Sequence, residues 1–215
     1  MCKVRLAAAA TVFAASFSVT ALAAAGEFPT RPMGYMVATG PGGASDLLAR
    51  VVGAALSEKL GVQVVIDNRP GAANTVGAEI AAKASPDGHT LLSCNIASLA
   101  VGPALYRNLS YDPERDFAPL GMIASNPNVL SVNPSVPAKT ISEFIALAKS
   151  RPGKLNYAST GVGTSPQLSM ELFRMQAGFT IAHVPYRGVG AALVHLIAGR
   201  VEAMIFTVPP ALGFV

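Results

Sequence analysis

Residues 39–46 read T-G-P-G-G-A-S-D. An apolar run precedes them (Tyr35, Met36, Val37, Ala38), and apolar residues recur at helical spacing after them (Leu47, Leu48, Val51, Val52, Ala55, Leu56, Leu60). The order is strand, glycine loop, helix N-terminus. The first N–H groups of a helix have no acceptor within it and carry partial positive charge. Glycine lets an anion approach those amides without meeting a side chain. The loop holds no lysine or arginine, which points to a small carboxylate rather than a polyphosphate. A second stretch of the same design, S-T-G-V-G-T-S-P, occupies residues 159–166. The two loops are expected to face each other across a cleft. For either loop alone, a tight strand-to-helix connection is the plainer alternative.

Working outward, the first strand is expected over about 34–38 and its helix over 46–60, with Ser45 as N-cap and Gly61 as terminator. Residues 62–67 alternate and are rich in valine and isoleucine, the pattern of a strand. Asn68-Arg69-Pro70-Gly71 is a turn. An alanine-rich helix (75–84) and a third strand (89–94) follow. Strand, helix, strand, helix, strand in this order predicts a parallel, doubly wound sheet with helices on its faces. Residues 95–100 start a helical piece, 103–116 are rich in turn formers, and 119–124 and 129–132 read as short strands around a crossover at Asn126-Pro127-Asn128. Thr140-Ile141-Ser142-Glu143 is a capping box. Strands at 155–159, 181–184 and 201–207 then alternate with helices at 165–177 and 188–198, so the second half repeats the architecture of the first. The apolar helix positions Leu47, Val51, Leu168 and Leu172 are expected in the core.

Apolar residues make up 51% of the 215-residue chain and charged residues 13%, enough core for one large domain or two small ones and too apolar for disorder. The formal charge of +4 includes Lys3 and Arg5 at the extreme N-terminus, and no basic stripe with interleaved aromatics suggests nucleic acid. Residues 1–25 carry those two cations, a short apolar core and Ala21-Leu22-Ala23, the layout of a cleaved export signal. A membrane anchor is the alternative. Removal of the signal takes Cys2 with it and leaves Cys94, expected as a buried small hydrophobe, without a disulfide partner.

Neither loop has the G-x-G-x-x-G spacing of a dinucleotide site or the Gly-Lys-Ser/Thr of a P-loop. His89, His183 and His195 are isolated in sequence and lack metal-ligand spacing. No G-x-S-x-G elbow supports a hydrolase triad. Asp46 fits either a ligand contact or a helix cap, the cap being the simpler role.

Seven motifs in order carry a resemblance: P-G-G-A-S-D-L-L-A-R (41–50), V-I-D-N-R-P-G-A (65–72), A-S-P-D-G-H-T-L-L (84–92), Y-D-P-E-R-D-F-A-P-L (111–120), N-P-S-V-P-A-K-T (133–140), P-G-K-L-N-Y-A-S-T-G-V-G-T-S-P (152–166) and H-V-P-Y-R-G (183–188). From about residue 28 to 212 the chain resembles the substrate-binding subunits of tripartite tricarboxylate transporters, the Bug family of periplasmic solute receptors. The resemblance implies an α/β, two-lobed periplasmic-binding-protein fold of type II kind, each lobe a mostly parallel sheet flanked by helices. It implies a hinge that closes on a small organic acid and delivery of that acid to membrane permease subunits, with no cofactor, metal or catalysis. The lobes would be residues 26–124 and 125–215 behind the signal at 1–25. Carried over by motif, the ligand carboxylate would rest on Gly42, Gly43, Ala44, Ser45 and Asp46 from the first loop. Thr160, Gly161, Gly163, Thr164 and Ser165 would serve from the second.

The chain departs from the family pattern in four places. Ala38-Thr39-Gly40-Pro41 stand where proline-phenylalanine-proline-alanine is usual, which implies the loss of an aromatic wall. Gln167 replaces a common histidine. Phe206 replaces an aspartate, which argues against binding an amino group. Family members also continue past Val-Pro-x-Ala-Leu and return to the first lobe. The expectation is a first lobe without its C-terminal return, with an exposed sheet face and an unpaired edge. The two alternatives to a receptor are an exported enzyme using the loops as an anion cradle and a non-functional truncated remnant.

Overall fold

The computed structural model describes residues 27–208, so the export signal expected at 1–25 lies outside the described residues. From Arg31 onward the chain forms one unit containing two sheets. The first is built from β1 (Met33–Val37), β2 (Val64–Asn68) and β3 (Thr90–Ser93) in the order β2-β1-β3, all parallel. Between them run α1 (Ala44–Leu60), a 3-10 turn (Ala72–Asn74) and α2 (Thr75–Ala82). A π turn (Ala97–Val101) and α3 (Gly102–Leu105) follow β3.

The second sheet contains β4 (Asn128–Val132), β5 (Asn156–Ser159), β6 (Ala182–Pro185) and β7 (Ala203–Thr207) in the order β4-β7-β5-β6. Only β4 runs antiparallel, against β7. Its helices are α4 (Ile141–Ser150), α5 (Ser165–Ala177) and α6 (Val189–Ile197). The capping box forms at α4. Thr140 Oγ1 accepts from Glu143 N–H at 3.2 Å, while the Glu143 carboxylate reaches back to Lys139 N–H at 2.6 Å. Gly61 and Gly178 end α1 and α5 in the left-handed region, at φ of 68° and 69°.

The period-2 alternation of a strand sorts the second sheet's residues onto two faces. Tyr157, Ala203 and Ile205 join Phe144, Met170 and Phe179 on the side of α4 and α5. Ala158, Met204 and Phe206 join Val189, Leu193 and Leu196 on the side of α6. Both faces are thus covered, as a parallel sheet requires.

Several expectations are corrected. Residues 119–124 form no strand; Leu120 and Met122 are 86% and 85% exposed, because no neighbouring strand pairs with this apolar stretch. Leu47, Val51, Leu168 and Leu172 are exposed rather than core. On α1 the buried residues are Asp46, Ala49 and Gly53; Ala49 packs with Tyr35 and Val37 of β1, and Gly53 lies against Ile66 and Val64 of β2, which brings the helix close. A Cβ on Gly53 would lie 2.9 Å from Ile66 Cδ1, so that face has no room for a leucine. Ser45 is not the N-cap: α1 begins at Ala44, and Gly43, in extended conformation, stands at the cap position. Cys94 is exposed, since it lies just beyond the end of β3.

Candidate functional site

The two glycine loops share one geometry residue by residue. Gly42 and Gly163 both adopt left-handed φ, 77° and 79°. The next residue in each, Gly43 or Thr164, is extended (ψ 163° and 156°), and the helix begins immediately after it. The third helical residue folds back to the glycine in both loops. Asp46 Oδ2 accepts from Gly42 N–H at 2.9 Å, and Gln167 Oε1 accepts from Gly163 N–H at 3.1 Å. These bonds use one backbone donor to brace the turn and leave the first-turn amides of α1 and α5 without helical acceptors.

Asp46 is therefore part of the brace. It is buried, with Arg50 Nε 3.1 Å from Oδ2 and Arg50 Nη2 3.0 Å from Oδ1. Burial pushes its pKa up, but the Arg50 guanidinium, the Gly42 amide and Asn68 outweigh that and hold it below the usual carboxylate range.

The loops meet at one cavity of about 100 Å³. Of the ten residues singled out from sequence, Gly43, Ala44, Ser45, Thr160, Thr164 and Ser165 line it. Gly42, Asp46, Gly161 and Gly163 do not; they shape the turns behind the lining. Gly163 sits where a Cβ would come within 2.7 Å of Leu105 Cδ1, which explains a glycine there on packing grounds as well as by its φ.

The remaining lining residues follow a topological rule that pattern reading of single segments does not reveal. Ligands of open α/β sheets bind beyond the carboxyl ends of the strands. Thr39 follows β1, Asn95 and Ile96 follow β3, Arg187 and Gly188 follow β6, and Phe206 and Thr207 end β7. Val189 adds the N-terminus of a third helix, α6. The β1 loop approaches the β6–α6 connection closely, for a Cβ on Gly40 would stand 3.2 Å from the Arg187 carbonyl. Asn74 is buried, left-handed at φ 66°, and donates to Asn95 Oδ1 at 3.4 Å. The hint in sequence was asparagine, a residue that tolerates left-handed backbone, three residues after Gly71 of the proline–glycine turn.

Arg187 is the sole charged residue among the lining residues, and it is exposed. Phe206 supplies an apolar floor where an acidic group would have repelled an anion. The Thr39 hydroxyl oxygen is buried at this cavity without a hydrogen-bond partner among the described residues, an arrangement that calls for an explanation.

Two histidines expected to be isolated are paired. His183 Nε2 lies 2.6 Å from Ser159 Oγ, and His195 Nδ1 lies 2.8 Å from the Tyr186 hydroxyl. The partners come from different strands and turns, so spacing in the sequence concealed them. Among the described residues no cluster of three His, Cys, Asp or Glu side chains is arranged to hold a metal ion.

A small cavity at the strand ends, rimmed by helix N-termini, has the form that anion sites take in open α/β folds. Residues 48–215 match the model of the tripartite tricarboxylate transporter family receptor, and the chain belongs to that family. Protein BugT of Bordetella pertussis is 37% identical over 97% of this chain and 64% of its own length. Two solved structures are similar in fold. R. palustris Rpa4515 with adipate has a TM-score of 0.84 at 38% identity, covering 86% of this chain and 62% of that one. MatC (Rpa3494) from Rhodopseudomonas palustris with bound malate has a TM-score of 0.80 at 32% identity, covering 86% and 63%. The chain spans between 54% and 64% of the length of the first curated relatives it matches.

Proposed function

We propose that this chain acts as an exported solute receptor that binds a small organic acid in the cavity between its two glycine loops. The acid would then be passed unchanged to the membrane permease subunits of a tripartite transporter. The lobes are residues 26–124 and 125–215, behind a cleaved signal at 1–25, and the site of action is the periplasm. Gly42, Gly43, Ala44, Ser45 and Asp46 form one side of the site, and Thr160, Gly161, Gly163, Thr164 and Ser165 form the other. Within them the first-turn amides and the hydroxyls of Ser45 and Ser165 contact the carboxylate, while Gly42, Asp46, Gly161, Gly163 and the Thr164 hydroxyl, which donates to the Gly161 carbonyl, hold the turns.

The observation that carries this reading is the convergence of three helix N-termini and one arginine on a single cavity without an acidic lining residue. Helix N-termini attract anions through unsatisfied amides and the helix dipole, and a pocket screened from water strengthens that attraction. The adipate- and malate-bound relatives support the same ligand class.

An enzymatic reading would need an accessible nucleophile. The Ser159–His183 pair superficially offers one, but Ser159 is fully buried and outside the cavity lining, and its hydroxyl is engaged by Gly161. Thermal unfolding in the presence of malate, adipate, citrate and benzoate tests the proposal. A receptor gains stability by about 2.7 kcal/mol at a ligand concentration of about 100 Kd, with the acid recovered intact. Turnover of any of these acids, or no shift with all of them, would overturn it.

A further inference from the structure

Behind the second glycine loop runs a polar chain that reaches the cavity only at its end, through Thr164. Ser159, the last residue of β5, is fully buried. Its Oγ accepts from Gly161 N–H at 3.0 Å, lies 3.2 Å from the Gly161 carbonyl and 2.6 Å from His183 Nε2. The Gly161 carbonyl also accepts from the Thr164 hydroxyl at 2.7 Å. Thr164 caps α5 and lines the cavity. His183 stands opposite Tyr157 in the β5–β6 register, and its ring stacks on that of Tyr157 at 4.8 Å and 22°. The Tyr157 hydroxyl donates to Glu171 at 2.7 Å, and Arg174 pairs with the same carboxylate. The imidazole is thus clamped on its face while Nε2 addresses the loop.

A serine hydroxyl has one proton to give and two lone pairs. With a proton on His183 Nε2, the two lone pairs of Ser159 receive His183 Nε2–H and Gly161 N–H, and the hydroxyl proton goes to the Gly161 carbonyl; with Nε2 bare, the Ser159 hydroxyl donates to it instead. The Gly161 carbonyl keeps the Thr164 hydroxyl in either case, so the Ser159–His183 hydrogen bond holds in both tautomers.

We propose that His183 is the positioning residue of the second anion-binding loop. Its Nε2 fixes Ser159 through a hydrogen bond, Ser159 fixes Gly161 at φ 127°, and Gly161 sets where Thr164 and the first turn of α5 meet the ligand. The acid as ligand rests on the receptor reading, whereas the loop geometry does not. Because His183 is not among the lining residues, its replacement alters affinity without deleting a ligand contact.

The test compares His183→Phe, which keeps a flat ring on Tyr157 but cannot hydrogen-bond to Ser159, with His183→Gln, whose amide restores a donor and an acceptor at similar reach. Ser159→Ala, which removes the hydroxyl alone, covers the case in which the phenylalanine variant does not fold. Amide hydrogen exchange is read without ligand in the full 215-residue chain, and malate and adipate affinities are read by calorimetry. Exchange at Gly161, Gly163 and Thr164 should accelerate about tenfold in His183→Phe and Ser159→Ala and return close to wild type in His183→Gln. Affinity for whichever acid binds should follow the same order. Unchanged loop exchange, equal acceleration throughout β5 and β6, or failure of glutamine to rescue would overturn the assignment. If loop exchange responds as described but the wild-type chain binds none of malate, adipate, citrate and benzoate, the positioning role stands and the receptor reading falls.

Discussion

In the second sheet, α4 and α5 cover one face with nine buried residues, and α6 covers the other with eight. The first sheet has one such cluster, Tyr35, Val37 and Ala49, with Val65 of β2 turned outward and exposed. Yet the glycine loops above these unequal sheets agree in φ, in cap conformation and in the backward brace from the third helical residue. The geometry of this turn is therefore local: a left-handed glycine, an extended cap and one side-chain acceptor recur in both halves. What the sheets contribute is placement, and there the two halves differ. The second loop rests on a two-faced core, while α1 leans on its sheet through Ala49 and Gly53.

The largest effect should come from cutting into the richer core. Phe144→Ala removes a fully buried ring that meets Phe173 and Phe179. It should lower stability by about 3–5 kcal/mol in denaturant unfolding. Val51→Ala, on the solvent side of α1, should stay within about 0.5 kcal/mol of wild type. Equal losses from the two would erase the contrast between the halves.

Gly77→Ala probes how tightly α2 meets the first sheet. A Cβ there would lie 2.8 Å from the backbone Cα of Ala38 and 3.0 Å from the Arg69 carbonyl. Overpacking of about 1–3 kcal/mol should exceed the gain of about 1 kcal/mol in helix propensity, for a net loss read in the same unfolding experiment. A stabilised variant would mean that the first half yields more readily than its close contacts suggest.

Ser45→Ala and Ser165→Ala remove one hydroxyl from each side of the cavity. Each should weaken malate or adipate binding by several-fold up to about tenfold, since a hydrogen bond contributes about 0.5–1.5 kcal/mol. Calorimetry on the pair tests whether the loops contribute alike. A loss confined to one loop would show that shared geometry does not mean shared work.

The smallest effect is in pH. Burial lowers the pKa of His183 below its ordinary 6.5, opposed by the Glu171 carboxylate. Tyr157 of β5 stacks on its ring, and Arg174 of α5 pairs with the same Glu171 carboxylate. A folded-state pKa below the unfolded one means that the unfolded chain binds more protons in the interval between them. Stability from this site is complete above pH 6.5 and falls as pH drops through that interval. His183→Gln should flatten the decline. A profile unchanged between pH 7 and 5 relative to the variant would show that this histidine is as accessible to protons folded as unfolded.

Much of this was legible from residues alone. Helix α5 begins and ends where the pattern of residues 165–177 indicates, the capping box forms at Thr140, and both glycine turns fall at the expected strand ends. Proline, glycine and hydroxyl residues act over a few neighbours, so their consequences can be read from a short window. The apolar face of α1 was misassigned because periodicity identifies a stripe and not the direction it faces. Residues 119–124 have strand-like composition, but composition supplies no pairing partner.

The cavity shows the same division. Gly43, Ala44, Ser45, Thr164 and Ser165 announce themselves as the first turns of helices behind glycine. Asn95, Arg187 and Phe206 become neighbours only because parallel strands end at one level, and His183 finds Ser159 only across a strand pair. The sequence by itself determined the turns, caps and helix starts, which are set by backbone dihedrals within four or five residues. The tertiary structure alone decided which side chains share the cavity, because that depends on strand order and register between segments far apart in the chain.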